Sequence, residues 1–342
     1  MMNIQWKTII ALVFAVVSAA ATAADIWYED NNLGRANGMP PDFASKFSQP
    51  ESFSQASQYL RVYMVRTNVL DAMSDEFLAG SFHPYLTKNN IKLAIDAAGA
   101  TWMQASGRKI LADREIRLLQ RLRRLGMQVD YVSLQSVLSK PLVIDGVTVD
   151  YPMSKRIKDA VTYAKSVRKI YPQAQTGIID AIPSHVEDYR QPYLLLKNAM
   201  AKGGGALSYI HLDMPFDIPR EQLLGITWPQ ARAVESYVEE VLGIRFGFMT
   251  TSAKGGRASS KAFHERVLAA QECYLGAGGT PTDFIIASWF PFPQATIPET
   301  ATGDDYPAMR TVLEYGRQLD RIERRGGLTM GQPGWDAMCT PQ

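Results

Sequence analysis

The stretch Ala206-Leu-Ser-Tyr-Ile-His-Leu-Asp-Met-Pro215 has the pattern of a buried β-strand that ends in polar residues. Side chains alternate along a strand, so the apolar residues at even positions face one side, and Tyr209, His211 and Asp213 face the other. If the apolar side packs against helices, a histidine and a carboxylate point into a sheet or barrel, where unpaired polar groups are costly. The strand therefore predicts a functional site at its C-terminal end.

Similar polar endings occur in other predicted strands. The strand near 91–96 ends with Asp96, the strand near 128–135 with Gln135, and the strand near 176–180 with Asp180. Arg66 follows an apolar run in the same way. The C-terminal strand ends of a (β/α)8 barrel build its active site, so polar residues at these ends have a common explanation.

Strand-like and helical segments alternate along the chain. Strands are predicted near residues 60–66, 91–96, 128–135, 176–180, 206–213, 244–251 and 284–290. Helices are predicted over 71–86, 112–125, 154–170, 193–201, 228–242, 259–275 and 304–325. This alternation predicts parallel strands with helical crossovers, and therefore an α/β protein with one (β/α)8 TIM-type barrel domain over residues 24–342.

Seven strands are clear in the sequence, and two segments compete for the eighth. One is Ile26-Trp-Tyr28, and the other is Gly326-Gly-Leu-Thr-Met330. A doubly wound open sheet is the competing architecture. No G-x-G-x-x-G sequence opens a helix after a strand, so dinucleotide binding is not favoured and no cofactor is predicted. Residues 140–151 have the pattern of a small β-hairpin.

Residues 1–23 have the pattern of a secretory signal peptide. Lys7 precedes an apolar run over 9–17, and Ala21-Thr-Ala23 fits the cleavage rule. We expect a periplasmic or secreted protein with no membrane span in the mature chain. An oxidising compartment permits a bridge between Cys273 and Cys339, but the sequence leaves open whether they pair.

The composition is that of an ordinary globular protein, with 46% hydrophobic and 20% charged residues and a formal net charge of +2. The arginines of 114–124 alternate with apolar residues at helical spacing. This pattern favours a solvated helix face, so no nucleic-acid partner is predicted. The oligomeric state is left open.

Aromatic residues lie close to several predicted strand ends. The segment Trp289-Phe-Pro-Phe-Pro-Gln-Ala-Thr-Ile-Pro-Glu299 is too rich in proline to be helical. With Trp102 and Tyr209, it offers flat apolar faces with polar tips. Sugar rings stack on such faces, so a carbohydrate ligand is plausible.

Export, βα alternation, acids at strand ends and an aromatic loop together resemble the secreted (β/α)8 glycoside hydrolases, although no Asn-Glu pair occurs in this chain. The resemblance implies a divergent member that hydrolyses glycosidic bonds with two carboxyl groups. We therefore expect Asp180 and Asp213 to be the principal catalytic residues, with Asp96 in reserve. The expected substrate-binding residues are His211, Tyr209, Trp289, Arg66, Trp102, Gln135 and Lys254.

Two other functions fit the same residues. A metal-dependent sugar isomerase, epimerase or lyase is one, because His211, Asp213, Asp180 and His185 carry groups that bind divalent ions. An exported carbohydrate-binding protein without catalytic activity is the other. Glu187 and Glu299, predicted on loops, are further sources of a catalytic acid.

Overall fold

Eight parallel strands close into a barrel in the computed structural model, which describes residues 24–30, 41–105, 109–144, 146–181 and 188–341. The ten strands are β1 (Asp25–Glu29), β2 (Leu60–Arg66), β3 (Lys92–Ala97), β4 (Tyr131–Gln135), β5 (Leu142–Ile144), β6 (Val147–Val149), β7 (Gln175–Ala181), β8 (Leu207–Asp213), β9 (Arg245–Thr250) and β10 (Asp283–Ile286). The barrel runs from β1 through β2, β3, β4, β7, β8, β9 and β10, which pairs with β1 again. The antiparallel pair β5–β6 forms a separate hairpin.

Helices follow the barrel strands and surround them. They are α1 (Phe43–Ser48), α2 (Ala56–Tyr59), α3 (Thr67–Ala72), α4 (Asp75–Phe77), α5 (His83–Lys88), α6 (Lys109–Arg124), α7 (Met153–Ile170), α8 (Arg190–Ala199), α9 (Asp217–Arg220), α10 (Trp228–Ser236), α11 (Ala253–Ala258), α12 (Ser260–Gly276), α13 (Ala308–Arg325) and α14 (Pro333–Cys339). Short 3₁₀ turns lie at Pro50–Phe53 and Leu223–Gly225, and π-turns at Leu78–Phe82, Met200–Gly204 and Tyr237–Val241.

The predicted (β/α)8 barrel is confirmed, and the open-sheet alternative is wrong. The eighth strand is β1, which contains Ile26-Trp-Tyr28, whereas residues 326–330 form no strand. The predicted hairpin is β5–β6. The helix predicted over 71–86 is divided among α3, α4, a π-turn and α5.

Two apolar regions lie on opposite sides of the strands. Ile210 and Leu212 of β8 pack outward with the helices, while Tyr209 joins an interior cluster with Trp27 and Tyr131. Two glycines make room for the interior rings. A Cβ on Gly177 would lie 2.3 Å from the Tyr209 ring, and one on Gly247 would lie 2.5 Å from Cδ2 of His211.

The C-terminal helix is tied to the barrel by a disulfide. Cys273 of α12 and Cys339 of α14 are bonded, with their Cα atoms 5.6 Å apart. The pairing that the sequence left open is therefore present. The segment 1–23, predicted to be a signal peptide, lies outside the described residues.

The arginine-rich segment is an amphipathic helix. In α6, Leu118, Leu119 and Leu122 are buried. Arg114 pairs with Asp71, and Arg121 pairs with Asp75. Within the described ranges, no helix is long and apolar enough to cross a membrane.

Candidate active site

Four charged residues meet at the C-terminal mouth of the barrel. Glu29 ends β1, Arg66 ends β2, Asp96 lies one residue before the end of β3, and Asp213 ends β8. Each is the last inward-facing residue of its strand, because its side chain lies on the same side as the interior residue two positions earlier. We call Glu29, Arg66, Asp96 and Asp213 the mouth cluster.

The Arg66 guanidinium lies between two of these carboxyl groups. Its Nε is 3.1 Å from Oε1 of Glu29 and 3.1 Å from Oδ2 of Asp96. Oε1 of Glu29 and Oδ2 of Asp96 can therefore be no further apart than twice that distance. The Arg66 side chain is 21% exposed, against 3% for Glu29 and 2% for Asp96. The indole of Trp289 lies beside the cluster, with its centre 5.9 Å from Cζ of Arg66.

Each carboxyl group of the cluster keeps one buried oxygen without a hydrogen-bond partner among the described residues. These oxygens are Oε2 of Glu29, Oδ1 of Asp96 and Oδ1 of Asp213. The indole N–H of Trp289 also has no hydrogen-bond partner among the described residues. Buried polar atoms are normally satisfied, so a group of them at a strand-end mouth marks a place where a ligand can bind.

The electrostatics of the cluster favour a bound proton. Burial raises the pKa of Glu29 to about 8, with a further contribution from repulsion by Asp96 and partial opposition from Arg66. Burial also raises the pKa of Asp96, while Arg66 and hydrogen bonding to Glu29 lower it. The raised pKa values favour a proton on this pair near neutral pH.

Asp213 has a different balance. Burial raises its pKa to about 7, Arg66 lowers it, and Asp96 raises it. Its carboxyl group is therefore divided between the ionised and protonated forms near neutral pH. Carboxyl groups whose pKa values are raised towards neutral pH can hold or release a proton there, which combined acid and base catalysis requires.

A second charged network holds the end of β1 in place. Asp30, the residue after Glu29, accepts hydrogen bonds from Tyr28 at 2.7 Å and from the buried Lys46 of α1 at 2.9 Å. Tyr63 contacts both Asp30 and Lys46. This network lies on the outward side of the strand, opposite the Glu29 side chain, and it holds the strand end that carries Glu29.

Asp180 lies near the C-terminal end of β7, and its side chain is on the outward side of the strand. Ile179 belongs to the interior apolar cluster and Ile178 to the outer one, so Asp180 shares the outward side with Ile178. Its Oδ1 accepts a hydrogen bond from the backbone N–H of Ser139 at 3.0 Å. Burial raises its pKa to about 7, while hydrogen bonds from Ser139 lower it. Asp213 is also among the groups that raise the pKa of Asp180, so the two carboxyl groups still interact, and a catalytic role for Asp180 stays a prediction.

Tyr209 and His211 face inward, as their positions predict, but both lie below the mouth. The Tyr209 hydroxyl is 2.9 Å from Oγ of Ser133, and Nε2 of His211 is 3.4 Å from Oδ2 of Asp283 at the opposite end of the barrel. Neither residue has any exposed surface. Both are packed inside the barrel, and their contact with a substrate stays a prediction.

Three other predicted substrate residues occupy different places. Trp102 packs beside the hairpin, where its indole N–H donates to the carbonyl of Lys140 at 3.2 Å. Lys254 opens α11 beyond β9, and its ammonium group pairs with Glu221. Gln135 ends β4 on the interior side and is the one of the three that faces the barrel.

Glu299, one of the two predicted loop acids, lies apart from the mouth cluster. Glu299 is buried and accepts hydrogen bonds from the backbone N–H groups of Gln55 at 3.0 Å and Ala56 at 2.6 Å. It therefore holds the start of α2. His185 and Glu187 lie outside the described residues.

Sequence reasoning missed Glu29. The segment Ile26-Trp-Tyr28 was a candidate for the eighth strand, and one more residue of alternation places Glu29 on the same side as Trp27. The signal was therefore present in the sequence.

A cation is already built into the cluster. Arg66 occupies the position between Glu29 and Asp96 in which a divalent ion would compete for the same oxygens. Within the described ranges, no three His, Cys, Asp or Glu side chains are arranged to hold a metal ion. His211, one of the four residues that the metal hypothesis named, turns towards Asp283.

Comparisons with known proteins identify the fold class and no family. No protein-family model matches the chain, and no curated protein matches it. Among solved structures, xylanase 10B from Thermotoga maritima is 12% identical with a TM-score of 0.52, over 89% of this chain and 97% of that one. The D-psicose 3-epimerase of Clostridium cellulolyticum H10 is 11% identical with a TM-score of 0.52, over 89% and 99%.

A psychrophilic glycoside hydrolase family 10 endo-β-1,4-xylanase is 11% identical with a TM-score of 0.50, over 85% of this chain and 96% of that one. At these identities the similarity shows the fold alone. The protein is therefore a TIM barrel of a kind that glycoside hydrolases and sugar epimerases share.

Proposed function

We propose that this protein is an exported enzyme that hydrolyses glycosidic bonds at the mouth of its barrel. One observation carries the proposal: Glu29 and Asp96 contact the Arg66 guanidinium, Asp213 interacts with it electrostatically, and each of the three carboxyl groups keeps a buried oxygen with no partner among the described residues. Glycoside hydrolysis needs one carboxyl group that donates a proton and another that is ionised. The mouth cluster supplies both.

The roles follow from the pKa of each group. Glu29, with a pKa of about 8, is the general acid that protonates the leaving oxygen. Asp213, with a pKa of about 7, is the base or nucleophile in its ionised form. Asp96 supports the proton on Glu29, and Arg66 stabilises the negative charge left after the proton is donated.

Trp289 supplies the apolar surface for a sugar ring. It is only partly buried, lies beside Arg66, and has an unpaired indole N–H among the described residues. Its ring can pack on the C–H face of a sugar while its N–H donates to a hydroxyl. The same loop follows β10, so it places the indole over the mouth.

Export remains part of the proposal. The signal-peptide pattern over residues 1–23 and the disulfide between Cys273 and Cys339 both support a periplasmic or secreted location. Expression in a bacterial host, followed by N-terminal sequencing of the exported protein, tests it. A mature start near Ala24 is expected, and full-length protein retained in the cytoplasm would contradict it.

The activity test uses matched acid-to-amide variants. We expect Glu29→Gln and Asp213→Asn each to lower turnover at least about a hundredfold, because a positioned acid or base contributes that much or more. Asp180→Asn is the control. Asp180 is a buried aspartate with a similar pKa of about 7, but it lies on the outward side of the wall. Its variant should retain turnover.

The substrate panel includes xylan, other polysaccharides and their oligosaccharides, with released reducing ends as the readout. A second arm incubates free ketoses and aldoses to detect epimerisation, since proteins named as epimerases share the fold. Epimerisation without hydrolysis would replace the proposal. Saturable binding of an oligosaccharide that stays intact would favour the binding-protein function. Loss of hydrolysis in Asp180→Asn but not in the mouth variants would refute the residue assignment.

A further inference from the structure

A buried glutamate links the chain segments that leave β2 and β3. Oε1 of Glu115, on α6, accepts a hydrogen bond from the Thr67 hydroxyl at 2.8 Å and another from the backbone N–H of Ala98 at 3.1 Å. Its Oε2 accepts from the backbone N–H of Gly99 at 2.8 Å and from the Tyr163 hydroxyl at 2.6 Å. One carboxyl group therefore joins the residues that follow two barrel strands to two helices, α6 and α7.

Both segments begin directly after residues of the mouth cluster. Thr67 is the residue that follows Arg66, and Ala98 follows Asp96 by two positions. Strand pairing puts Arg66 opposite Asp96, and Nε of Arg66 lies 3.1 Å from Oδ2 of Asp96. The partners of Glu115 are therefore joined through the backbone to both members of this ion pair.

The segment that follows β3 packs very closely on α6. A Cβ on Gly99 would lie 2.3 Å from Oε2 of Glu115 and 2.8 Å from Cα of Ala112. Both distances are shorter than the contacts of a real Cβ atom, so the absence of a side chain at residue 99 permits this approach. A larger residue there would have to move the segment, and with it the end of β3.

The hydrogen bonds of Glu115 suit a holding role. A carboxylate has about four lone-pair positions on its two oxygens, and the two hydroxyl and two backbone donors described above fill them. Burial raises the pKa of Glu115, while the hydrogen bonds from Tyr163, Thr67, Gly99 and Ala98 lower it. In contrast to the mouth carboxyl groups, both of its oxygens are satisfied. Glu115 is therefore suited to fixing its neighbours and not to transferring a proton to a substrate.

We infer that Glu115 is a positioning residue for the mouth cluster, because it holds the ends of β2 and β3 in the arrangement that keeps the Arg66 guanidinium between Glu29 and Asp96. The inference rests on the proposed function, in which the mouth cluster donates and accepts protons. Burial raises the pKa of all three carboxyl groups in the cluster, and Arg66 partly opposes it. If the guanidinium moves away, these pKa values should therefore rise further.

The test measures the pKa of Glu29 without a substrate. Carbon-13 NMR follows the carboxyl carbon of Glu29 in protein labelled on its glutamate side chains, and the signal is identified as the one that Glu29→Gln removes. In Glu115→Gln the amide nitrogen cannot accept a hydrogen bond, so the backbone N–H of either Ala98 or Gly99 loses its partner. An arginine beside a carboxyl group lowers its pKa by about 1–3, so partial displacement of Arg66 should raise the pKa of Glu29 by about 1.

Glu235→Gln is the matched control. Glu235 of α10 is also buried, and it accepts hydrogen bonds from the Tyr274 hydroxyl and from the backbone N–H and the hydroxyl of Thr280. Thr280 precedes β10, so this network lies at the end of the barrel opposite the mouth. Glu235→Gln should destabilise the protein as Glu115→Gln does, but it should leave the pKa of Glu29 unchanged.

Two smaller changes act on the same link. Thr67→Val keeps the shape of the side chain but removes its hydrogen bond to Glu115, and Thr67→Ser should restore the wild-type behaviour. Gly99→Ala pushes the segment after β3 away from α6. Both Thr67→Val and Gly99→Ala should raise the pKa of Glu29, and they replace Glu115→Gln if that variant does not fold. An unchanged pKa of Glu29 in the folded variants would overturn the inference.

Failure of this inference and failure of the proposed function give different results. If Glu29→Gln abolishes hydrolysis but Glu115→Gln leaves the pKa of Glu29 unchanged, only the positioning role is wrong. If Glu29→Gln retains hydrolysis, the proposed role of Glu29 is wrong whatever the NMR titration gives. If both hold, Glu115→Gln should move the pH profile of kcat to higher pH with a smaller change in KM, whereas Glu235→Gln should lower Tm and leave the profile in place.

Discussion

Replacing Glu29 with glutamine should change how the stability of the protein depends on pH. The pKa of Glu29 rises on folding from an ordinary value of 4.5 to about 8, mainly through burial. Between these limits the folded protein keeps a proton that the unfolded chain has lost. The free energy of unfolding therefore falls as pH rises through this window. The glutamine side chain resembles the protonated glutamate and carries no titrating group, so the variant lacks this part of the slope.

The size of the effect follows from the two pKa values. Each tenfold change in proton affinity is worth about 1.4 kcal/mol, so the full displacement sets an upper limit of about 5 kcal/mol. Glu29 titrates together with Asp96, whose charge contributes to the raised pKa of Glu29 and whose own pKa is lowered by the hydrogen bond with Glu29, so the variant also changes the titration of that neighbour. We therefore expect about half the limit, roughly 2–3 kcal/mol in favour of the variant above the window. Below it, the two proteins should have similar stability.

Urea unfolding, followed by tryptophan fluorescence at several pH values across the window, measures this difference. Asp180 and Asp213 also have raised pKa values, so the wild-type slope contains their contributions, and the difference between the two proteins isolates Glu29. Glu265→Gln, on the exposed side of α12, serves as the control and should leave the slope unchanged. A stability difference between Glu29→Gln and wild type that is constant with pH, or that shrinks as pH rises, would refute the reasoning.

Three further outcomes are expected. Cys339→Ser breaks a disulfide that spans 66 residues, so it should lower the free energy of unfolding by about 4 kcal/mol, and a reducing agent should destabilise wild type but not the variant. Trp289→Ala should weaken oligosaccharide binding by about 1–3 kcal/mol in a titration and lower Tm only modestly. A large loss of Tm with unchanged affinity would show instead that the indole is a packing residue. Gly247→Ala puts a methyl group 2.5 Å from Cδ2 of His211 and should cost about 1–3 kcal/mol in thermal melts, whereas Gly80→Ala, with no atom within 4 Å, should be tolerated.

Alternation of side chains was enough to predict the barrel and part of its mouth. In β8, outward Ile210 and Leu212 and inward Asp213 lie where alternation puts them. Asp96 follows the same rule in β3. The fold was predictable because eight such strands repeat one pattern, and any one of them can be ambiguous without changing the result.

The strand that carries Asp180 shows where the rule fails. A barrel strand is buried on both sides, so Ile178 and Ile179 are both apolar and give no indication of which side faces inward. The sequence contains an acid at the strand end, but not the direction in which it points. Only pairing with the neighbouring strands, which puts Ile179 in the interior cluster, settles the side.

Height along the barrel is a second property that the sequence does not give directly. His211 lies two residues before Asp213 on the same side, yet it reaches Asp283 at the bottom of the barrel and has no exposed surface. The last inward residue of a strand reaches the mouth, and the one before it is already in the core. The same rule, applied to β1, separates Glu29 from Trp27.

The two ends of the barrel show why chemistry belongs at the mouth. At the bottom, Asp283 accepts hydrogen bonds from Trp27 at 2.8 Å and from Arg245 at 2.7 Å, and Arg245 also reaches Asp25 at 2.7 Å. Burial alone would raise the pKa of Asp283, but His211 and Arg245 outweigh it and lower the pKa. That end is a satisfied ion network, suited to holding strands together.

The mouth has the opposite balance. One guanidinium, on Arg66, lowers the pKa of three carboxyl groups, and the pKa of each of the three is nevertheless raised. A surplus of buried carboxyl groups is stable near neutral pH only if it holds protons, and held protons can be transferred to a substrate. The ratio of carboxyl groups to guanidinium groups therefore differs between the two ends of the barrel. Because of this difference, the same residue types stabilise the fold at the bottom and remain available for acid and base chemistry at the mouth.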